Sequence, residues 1–308
     1  MSFLYKADPV RGAEWAQLFA AKAPDIPFYC WPDTGDRNAV RYLAAWLPPA
    51  DITSEFPHLE IVFSVGAGID QFDFSSLPTH LPVVRMVEPG IAAGMVEYVT
   101  HAVLGIHRQS RLYARQQQAH VWQAHRVRPA SDTRVGVLGL GMLGRAVLQQ
   151  LAGMGFSCAG WSRSAHSLEG VTCYSGDDGL SAFLARSDIL ICLLPLTAET
   201  RGILNQAVFA QLPAGASVIN VGRGGHLVEA DLLAALESGH LAGAVLDVCE
   251  HEPLSAQHPF WSHPEIVITP HIASMTQPAG AVDLVLENIR RHQAGLPLLG
   301  LVDRTRGY

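Results

Sequence analysis

Short runs made up mostly of apolar residues alternate along the chain with segments of helical periodicity. The runs lie at residues 59–65, 135–138, 189–194, 218–221, 245–248 and 266–269, and turns rich in Gly or Pro follow them. A strand that is apolar at every position is covered on both faces, which is typical of parallel strands flanked by helices. The pattern therefore predicts repeated βαβ units and an α/β fold.

One segment does not follow this alternation. From Gly94 apolar residues recur at helical spacing, and a helical composition continues to about Gln118, which predicts one unusually long helix. Six of the 21 basic residues lie in or shortly after it, namely Arg108, Arg111, Arg115, Arg126, Arg128 and Arg134. We interpret this stretch as a solvated face or a contact with a second copy of the chain, and therefore as a candidate homodimer element.

Composition limits the classes of function. The 308 residues are enough for two domains with a core each, and 28 Asp and Glu against 21 Lys and Arg give a net charge of -7. This acidic balance argues against nucleic-acid or membrane binding. The five cysteines form no C-x-x-C pair, the first residues lack the pattern of a signal peptide, and no apolar run approaches the ~20 residues of a membrane helix. We expect a cytoplasmic protein that acts on small molecules.

A glycine-rich motif directly follows the second apolar run. Gly139, Gly141 and Gly144 form the pattern G-x-G-x-x-G between a predicted strand and a predicted helix. In that context the first glycine makes a tight turn, the second lets the backbone approach a pyrophosphate, and the third lets helix and strand pack closely. With Met142 and Leu143 they predict a dinucleotide site, because free N–H groups and the helix dipole favour phosphate at a helix start.

The end of the next predicted strand bears on the choice of cofactor. NAD-selective sites place Asp or Glu there, against the ribose hydroxyls, whereas this strand ends in Ser162, Arg163 and Ser164. A guanidinium between two hydroxyls suits a 2′-phosphate. We therefore predict that NADP(H) is preferred and that NAD(H) is possible. The alternative is that Arg163 is a surface arginine that stacks on the adenine.

Three later segments each carry unusual polar residues where an apolar strand ends, which is where open α/β sheets bind ligands. The segments contribute Arg223, Asp247 with Glu252, and His271. A keto group that receives a hydride gains charge on its oxygen, so a protonated imidazole must deliver a proton while a fixed cation polarises the carbonyl. A carboxylate orients such a histidine and favours its charged form. An arginine, a carboxylate and a histidine are sufficient for this chemistry.

Together these segments resemble the D-isomer-specific 2-hydroxyacid dehydrogenases over nearly the whole chain. The glycine motif, the Gly222-Arg223-Gly224 turn, the segment 247–253 and the Pro270-His271 turn occur in the order and spacing of that family. Within the family, residues 46–49, 161–164 and 302–308 look most like the bacterial branch of glyoxylate/hydroxypyruvate reductase A, which prefers NADPH.

The resemblance implies a fold of two doubly wound parallel-sheet domains. A flavodoxin-like substrate domain would comprise residues 1–97 and 272–308, and a Rossmann NAD(P)-binding domain would comprise residues 98–271. The implied activity is the NADPH-dependent reduction of small 2-keto acids, glyoxylate to glycolate and hydroxypyruvate to glycerate. Two alternatives remain open. One is a related dehydrogenase that takes a bulkier 2-keto acid or works in the oxidative direction, and the other is a dinucleotide-sensing regulatory protein on the same fold.

The resemblance also implies a role for each residue near the substrate. His271 would be the general acid, Glu252 its orienting partner and Arg223 the substrate clamp. The loop Gly66, Ala67 and Gly68 would hold the substrate carboxylate with main-chain N–H groups, the alternative being a plain turn. Trp46 would either wall the pocket or lie in the core.

The remaining candidates concern the cofactor. Leu194, Pro195 and Thr200 resemble the family loop that lies along the cofactor, and Thr200 could equally cap the following helix. Val221 and Gly222 are assigned to the cofactor with them. Asp247 would contact the nicotinamide carboxamide, or else serve in a helix cap or a turn. We expect no metal site, because the histidine pairs lack carboxylates at ligand spacing.

Overall fold

The structure is a computed structural model, and it describes residues 1–304. The chain divides into two compact units. We call the one formed by residues 1–91 together with the chain from Met275 onward the terminal unit, and the one formed by Ala92–Ser274 the central unit.

The terminal unit contains a parallel five-stranded sheet. Its strands are β1 (Ser2–Lys6), β2 (Phe28–Cys30), β3 (Val40–Ala45), β4 (Ile61–Ser64) and β5 (Val83–Val84), in the order β2-β1-β3-β4-β5. This is the doubly wound order of flavodoxin-like folds.

The central unit contains a parallel seven-stranded sheet. Its strands are β6 (Arg134–Leu138), β7 (Ser157–Ser162), β8 (Thr172–Ser175), β9 (Ile189–Cys192), β10 (Ala216–Asn220), β11 (Leu241–Leu246) and β12 (Ile266–Ile268). Their order, β12-β11-β10-β9-β6-β7-β8, is the Rossmann order with one further strand at the end. The predicted fold class of two doubly wound parallel-sheet domains is confirmed.

Helices connect these strands. In chain order they are α1 (Pro9–Lys22), α2 (Ile52–Glu55), α3 (Pro89–His107), α4 (Ser110–Gln118), α5 (Met142–Gly153), α6 (Gly176–Leu184), α7 (Gln206–Phe209), α8 (Glu229–Glu237) and α9 (Pro278–Gln293). Over the described part of the chain, none of them is long and apolar enough to cross a membrane.

Strand β9 shows why the runs are so rich in apolar residues. Leu190 and Cys192 belong to one hydrophobic cluster, and Ile189 and Ile191 belong to another. Because successive side chains of a strand point to opposite faces, the sheet of the central unit has a core on each side. All four residues of β9 are buried as a result.

The prediction of one long helix up to Gln118 is wrong. The chain forms α3 and α4, and between them Gln109 has a left-handed backbone with φ of 56°. No residue of α4 is buried, so burial does not hold the two segments in one helix. Helical composition continues across the break, and a single left-handed residue leaves no trace in such a pattern.

Part of the arginine stretch is also placed differently from the prediction. Arg111 and Arg115 both form ion pairs with Glu265 of the same unit. Arg134 forms an ion pair of 2.6 Å with Asp188. These three side chains therefore have partners within the chain and are neither purely solvated nor reserved for a second copy.

Candidate active site

The glycine motif forms the turn from β6 into α5. Gly139 has a φ of +106°, and a Cβ on it would lie 2.7 Å from the carbonyl oxygen of Leu193. A Cβ on Gly144 would overlap the carbonyl oxygen of Gly139. By contrast, a Cβ on Gly141 would meet nothing within 4 Å, and no side chain caps the start of α5. Two glycines thus make the turn, and the third leaves space beside a helix start, which fits the pyrophosphate of a dinucleotide.

The turn after β7 carries the basic group that the sequence analysis singled out. Ser162 donates from Oγ to the carbonyl of Ser164 over 2.8 Å, which closes the turn around the exposed Arg163. A hydrogen bond from Thr197 lowers the pKa of Glu199, and the charge of Arg163 lowers it further. The Arg163 guanidinium is therefore close to the loop that follows β9.

A second guanidinium near this turn was missed from the sequence. Arg145, on α5, donates from Nε to the carbonyl of Leu140 over 2.8 Å. Its Nη2 lies 2.8 Å from Nδ1 of His166, whose Nε2 lies 3.4 Å from Oγ of Ser164. The available signal was an arginine directly after the last glycine of the motif.

Thr200 ties together the loop that contains Leu194 and Pro195. Its Oγ1 donates to the carbonyl of Pro195 over 2.6 Å and accepts from the N–H of Thr197 over 2.8 Å. The hypothesis that Thr200 caps the next helix is wrong, because α7 begins at Gln206 and Asn205 accepts from the N–H of Val208. The structure gives Thr200 a role within the loop.

Two fully buried side chains, Asn220 and His226, hold the turn that carries Arg223. Asn220 accepts from the N–H of Gly222 over 3.2 Å and donates to the carbonyl of Arg223 over 2.9 Å. His226 accepts at Nδ1 from the N–H of Arg223 over 3.0 Å. The sequence analysis missed both residues, although a polar residue at the end of the apolar strand β10 was a visible signal.

Asp247 is buried at the end of β11 and organises the turn after β12. Its Oδ1 accepts from Oγ1 of Thr269 over 2.6 Å and from the N–H of Ile272 over 2.8 Å. Its Oδ2 accepts from the N–H of Ala273, and its carbonyl accepts from the N–H of His271, each over 2.8 Å. His271 itself has a left-handed backbone with φ of 55°. Asp247 thus has the role in a turn, and its contact with the nicotinamide carboxamide stays a prediction.

His271 and Glu252 are hydrogen-bonded to each other. Nδ1 of His271 lies 2.8 Å from Oε2 of Glu252, and Oε1 of Glu252 accepts from the N–H of Cys249 over 3.1 Å. Both side chains are partly open, with 33% of His271 and 39% of Glu252 exposed. Since an ionised carboxylate only accepts hydrogen bonds, Nδ1 carries a proton and Nε2 is left to exchange one.

The surroundings keep Glu252 ionised. Burial raises the pKa of its carboxyl, but hydrogen bonds from His271 and Cys249 and the positive charges of His271 and Arg223 outweigh burial. The net result is a pKa below the ordinary value. The same balance shows that the charge of Arg223 acts on Glu252, so the central unit brings the three predicted catalytic residues into one electrostatic neighbourhood.

The loop of residues 66–68 follows β4 in the terminal unit. The buried Ser64 accepts from the N–H of Gly66 over 3.2 Å and donates to the carbonyl of Gly68 over 2.9 Å. Within the described residues, the N–H groups of Ala67 and Gly68 make no hydrogen bond. Ser64 thus holds the loop in place, and the N–H groups of Ala67 and Gly68 are available to a ligand.

Trp46 lies beside this loop. A Cβ on Gly66 would be 3.4 Å from Cζ3 of Trp46, and 40% of Trp46 is exposed. The hypothesis that Trp46 is a core residue is wrong. Its exposed indole is compatible with the other hypothesis, a wall of a binding site.

In the described range 1–304, no cluster of three or more His, Cys, Asp or Glu side chains could hold a metal ion. The resemblance in the final segment extends to Tyr308, and residues 305–308 lie outside the part of the chain that the structure describes.

Comparisons with known proteins identify the family of this chain. Residues 100–273 match the family model of the D-isomer specific 2-hydroxyacid dehydrogenase, NAD binding domain. A glyoxylate/hydroxypyruvate reductase A of Yersinia enterocolitica is 41% identical over 301 residues, which are 96% of each chain. The chain belongs to the D-isomer-specific 2-hydroxyacid dehydrogenases. The resemblance to the glyoxylate/hydroxypyruvate reductase A branch is confirmed with it.

Solved structures give the same result. A D-isomer specific 2-hydroxyacid dehydrogenase from Xanthobacter autotrophicus Py2, in complex with NADPH and MES, has a TM-score of 0.94 and 41% identity over 100% of this chain and 99% of that chain. An NADPH-dependent glyoxylate/hydroxypyruvate reductase from Sinorhizobium meliloti, in complex with NADP and sulfate, has a TM-score of 0.92 and 38% identity over the whole of both chains.

Proposed function

We propose that this protein reduces small 2-keto acids with NADPH, converting glyoxylate to glycolate and hydroxypyruvate to glycerate. The observation that carries the proposal is the 2.8 Å hydrogen bond between His271 and Glu252, with the charge of Arg223 acting on the same carboxylate. The names of the similar proteins, glyoxylate/hydroxypyruvate reductase A and its NADPH-dependent counterpart, support the same activity.

In this proposal the central unit is the NAD(P)-binding domain and the terminal unit is the substrate domain. The domain boundaries at residues 97/98 and 271/272 stay predictions. Met142 and Leu143, at the start of α5, would offer N–H groups to the pyrophosphate, and Arg163 between its two serines would bind a 2′-phosphate. Bound there, NADPH would supply the hydride for the reaction.

The cofactor contacts of the other loops are part of the same proposal. Leu194, Pro195 and Thr200, tied together by Oγ1 of Thr200, would line the cofactor on one side. Val221 and Gly222, at the end of the neighbouring strand β10, would line it next to them. Asp247, through its carboxylate, would reach the nicotinamide carboxamide while it holds the turn of His271.

The proton would come from His271. Glu252 accepts the hydrogen bond of Nδ1 and compensates the charge of the imidazolium. As the keto carbon becomes bonded to hydrogen, Nε2 donates its proton to the keto oxygen, and the neutral ring keeps its Nδ1 proton towards Glu252. The hydrogen bond to Glu252 and the charge of that carboxylate support this role for His271.

The substrate carboxylate requires fixed donors. Arg223 would clamp the carboxylate and polarise the keto oxygen, because its guanidinium is a planar, permanently charged donor. In the terminal unit, the N–H groups of Ala67 and Gly68, on the loop that starts at Gly66, would bind a carboxylate. Trp46 beside that loop would favour small substrates, since an indole is rigid and bulky.

The test is an assay of NADPH oxidation with a panel of 2-keto acids, on the wild-type protein and on His271→Ala. We expect glyoxylate and hydroxypyruvate to be preferred over bulkier acids. The variant should lose at least about a hundredfold in kcat and retain the dissociation constant for NADPH. A preference for a bulkier acid would favour a related dehydrogenase. Binding of NADPH by the wild-type protein without any turnover would favour a dinucleotide sensor.

We also propose a cytoplasmic homodimer. Trp122 is fully exposed in the central unit, and Val121 and Val127 of the same extended segment are about half exposed. Large exposed apolar side chains within one short segment are typical of a surface that a partner covers. The cysteines of the chain are all free, which fits a reducing compartment.

A further inference from the structure

His226 is fully buried between two loops that the proposed function uses. On one side, Nδ1 accepts from the main-chain N–H of Arg223 over 3.0 Å. On the other side, Nε2 lies 3.2 Å from the carbonyl oxygen of Pro195. One imidazole therefore contacts the turn of the proposed substrate clamp and the loop of the proposed cofactor site.

The imidazole also fills the space next to the turn. A Cβ on Gly222 would lie 2.9 Å from Nδ1 of His226. The main chain of His226 is held as well, since its N–H donates to the carbonyl of Arg223 and its carbonyl accepts from the N–H of Leu204. Its ring therefore has a fixed position and orientation.

These partners select one protonation state of the ring. The carbonyl of Pro195 only accepts, so Nε2 must carry a hydrogen, and the N–H of Arg223 only donates, so Nδ1 must be bare. A ring protonated on both nitrogens would direct the Nδ1 hydrogen at the N–H of Arg223. Only the neutral Nε2–H form satisfies both loops.

We propose that His226 is a positioning residue that holds both loops. Its Nδ1 holds the turn of Arg223, which binds the keto acid, and its Nε2 holds the loop of Pro195, which binds NADPH. The inference rests on the proposed function, because the proposed function assigns the keto acid to Arg223 and NADPH to the loop of Pro195. It predicts that mutation can remove the function of one ring nitrogen at a time. Loss of Nδ1 should weaken binding of the keto acid, and loss of Nε2 should weaken binding of NADPH. A residue that only contributes to stability would not divide in this way.

The test uses two amide variants that each keep one half of the imidazole. The oxygen of Asn can take the place of Nδ1 but cannot reach Pro195, so His226→Asn should weaken NADPH binding by roughly tenfold with a KM for glyoxylate within about threefold of wild type. The nitrogen of Gln can take the place of Nε2, so His226→Gln should show the opposite pattern. NADPH binding is measured by fluorescence titration, and KM is measured at saturating NADPH.

The control is His240→Gln. His240 of the same unit likewise places Nε2 2.8 Å from a main-chain carbonyl, that of Phe209, and contacts neither loop. It should leave both constants unchanged. If both His226 variants raise both constants equally, or leave both unchanged, the proposal is overturned.

A second measurement does not depend on the folding of the His226 variants. In His240→Gln protein with 15N-labelled histidine, one neutral Nε2–H imidazole should be protected from exchange, and its absence would overturn the proposal. A wild-type protein that reduces no 2-keto acid would refute the proposed function. It would also refute the part of this inference in which His226 positions Arg223 for the keto acid. NADPH binding by the variants would still test whether His226 positions the loop of Pro195 for NADPH.

Discussion

At the scale of single residues, the charge of Glu252 determines how His271 is held. Glu252→Gln keeps the shape of the side chain and removes its charge, so kcat should fall roughly tenfold to a hundredfold. Because the carboxyl pKa lies below its ordinary value, wild-type Glu252 stays ionised throughout the neutral range and is neutralised only as the pH falls through the lowered pKa.

The ratio of wild-type to Glu252→Gln activity should therefore shrink as the pH falls through the lowered pKa of Glu252, because the wild-type carboxyl then loses its charge as well. It is measured as kcat across the pH range, with NADPH binding as a check that both proteins remain folded. A ratio that stays the same while the pH falls through the range in which Glu252 is neutralised would contradict the assignment.

Arg163 is the residue on which the choice of cofactor depends. Arg163→Asp replaces a group that attracts a 2′-phosphate with one that repels it and can accept hydrogen bonds from ribose hydroxyls. The KM for NADPH should rise by at least about tenfold, while the KM for NADH stays level or falls. Steady-state kinetics with each cofactor measures both values. Arg126→Asp, the same charge change at another exposed arginine of the central unit, should leave the ratio of the two unchanged.

At the scale of secondary-structure elements, Asp188 and Arg134 join neighbouring strands where β9 and β6 begin. Asp188 accepts from the N–H of Arg134 over 2.9 Å and from Nε and Nη2 over 3.0 and 2.6 Å. Burial raises the pKa of Asp188, but these hydrogen bonds and the charge of Arg134 outweigh it, so the pKa is lowered. The pair stabilises the folded chain fully above the ordinary pKa and is lost as the pH falls through the lowered one.

Asp188→Asn should therefore lower the stability at pH 7 by about 1 kcal/mol, a value discounted for the partial exposure of the pair. The difference from wild type should close as the pH falls below about 4. Thermal unfolding at several pH values measures both effects. Glu287→Gln, which removes the carboxylate from an exposed ion pair on α9, should change the stability by less than about 0.5 kcal/mol. A difference that persists at low pH would exclude charge as the cause.

At the scale of the whole molecule, the proposed homodimer depends on the exposed segment after α4. Trp122→Lys places a charge where we expect a covered indole, so the dimer should weaken at least about tenfold. Sedimentation over a range of concentrations measures the dissociation constant. Trp261→Lys is the matched control, because Trp261 is 56% exposed in the same unit. A wild-type protein that sediments as a monomer would refute the proposal.

The extent to which the sequence predicted this molecule differs between elements. Both faces of the sheet in the central unit are covered, so β9 is an uninterrupted apolar run, β10 is apolar apart from Ser217 and Asn220, and the positions of both were predictable. The break at Gln109 was not, because the pattern of side chains continues while one backbone angle changes. Composition also could not show that Arg111 and Arg115 share Glu265, about 150 residues further along the chain.

The residues of the candidate site were likewise predictable only in part. Motifs marked Arg223, Glu252 and His271, because strand ends with unusual polar residues are visible in one dimension. They did not mark Asn220 and His226, whose roles depend on main-chain groups that the fold brings to them.

By itself, the sequence determined the fold class, the glycine turn and the family, since local periodicity and motif spacing record which residues must be buried or must bend. Only the tertiary structure decided which hydrogen-bond partners the buried polar groups have. Asp247 is the clearest case: its partners lie 22 to 26 positions away on the turn after β12. A buried polar group needs a partner, but the folded backbone determines which atom that partner is.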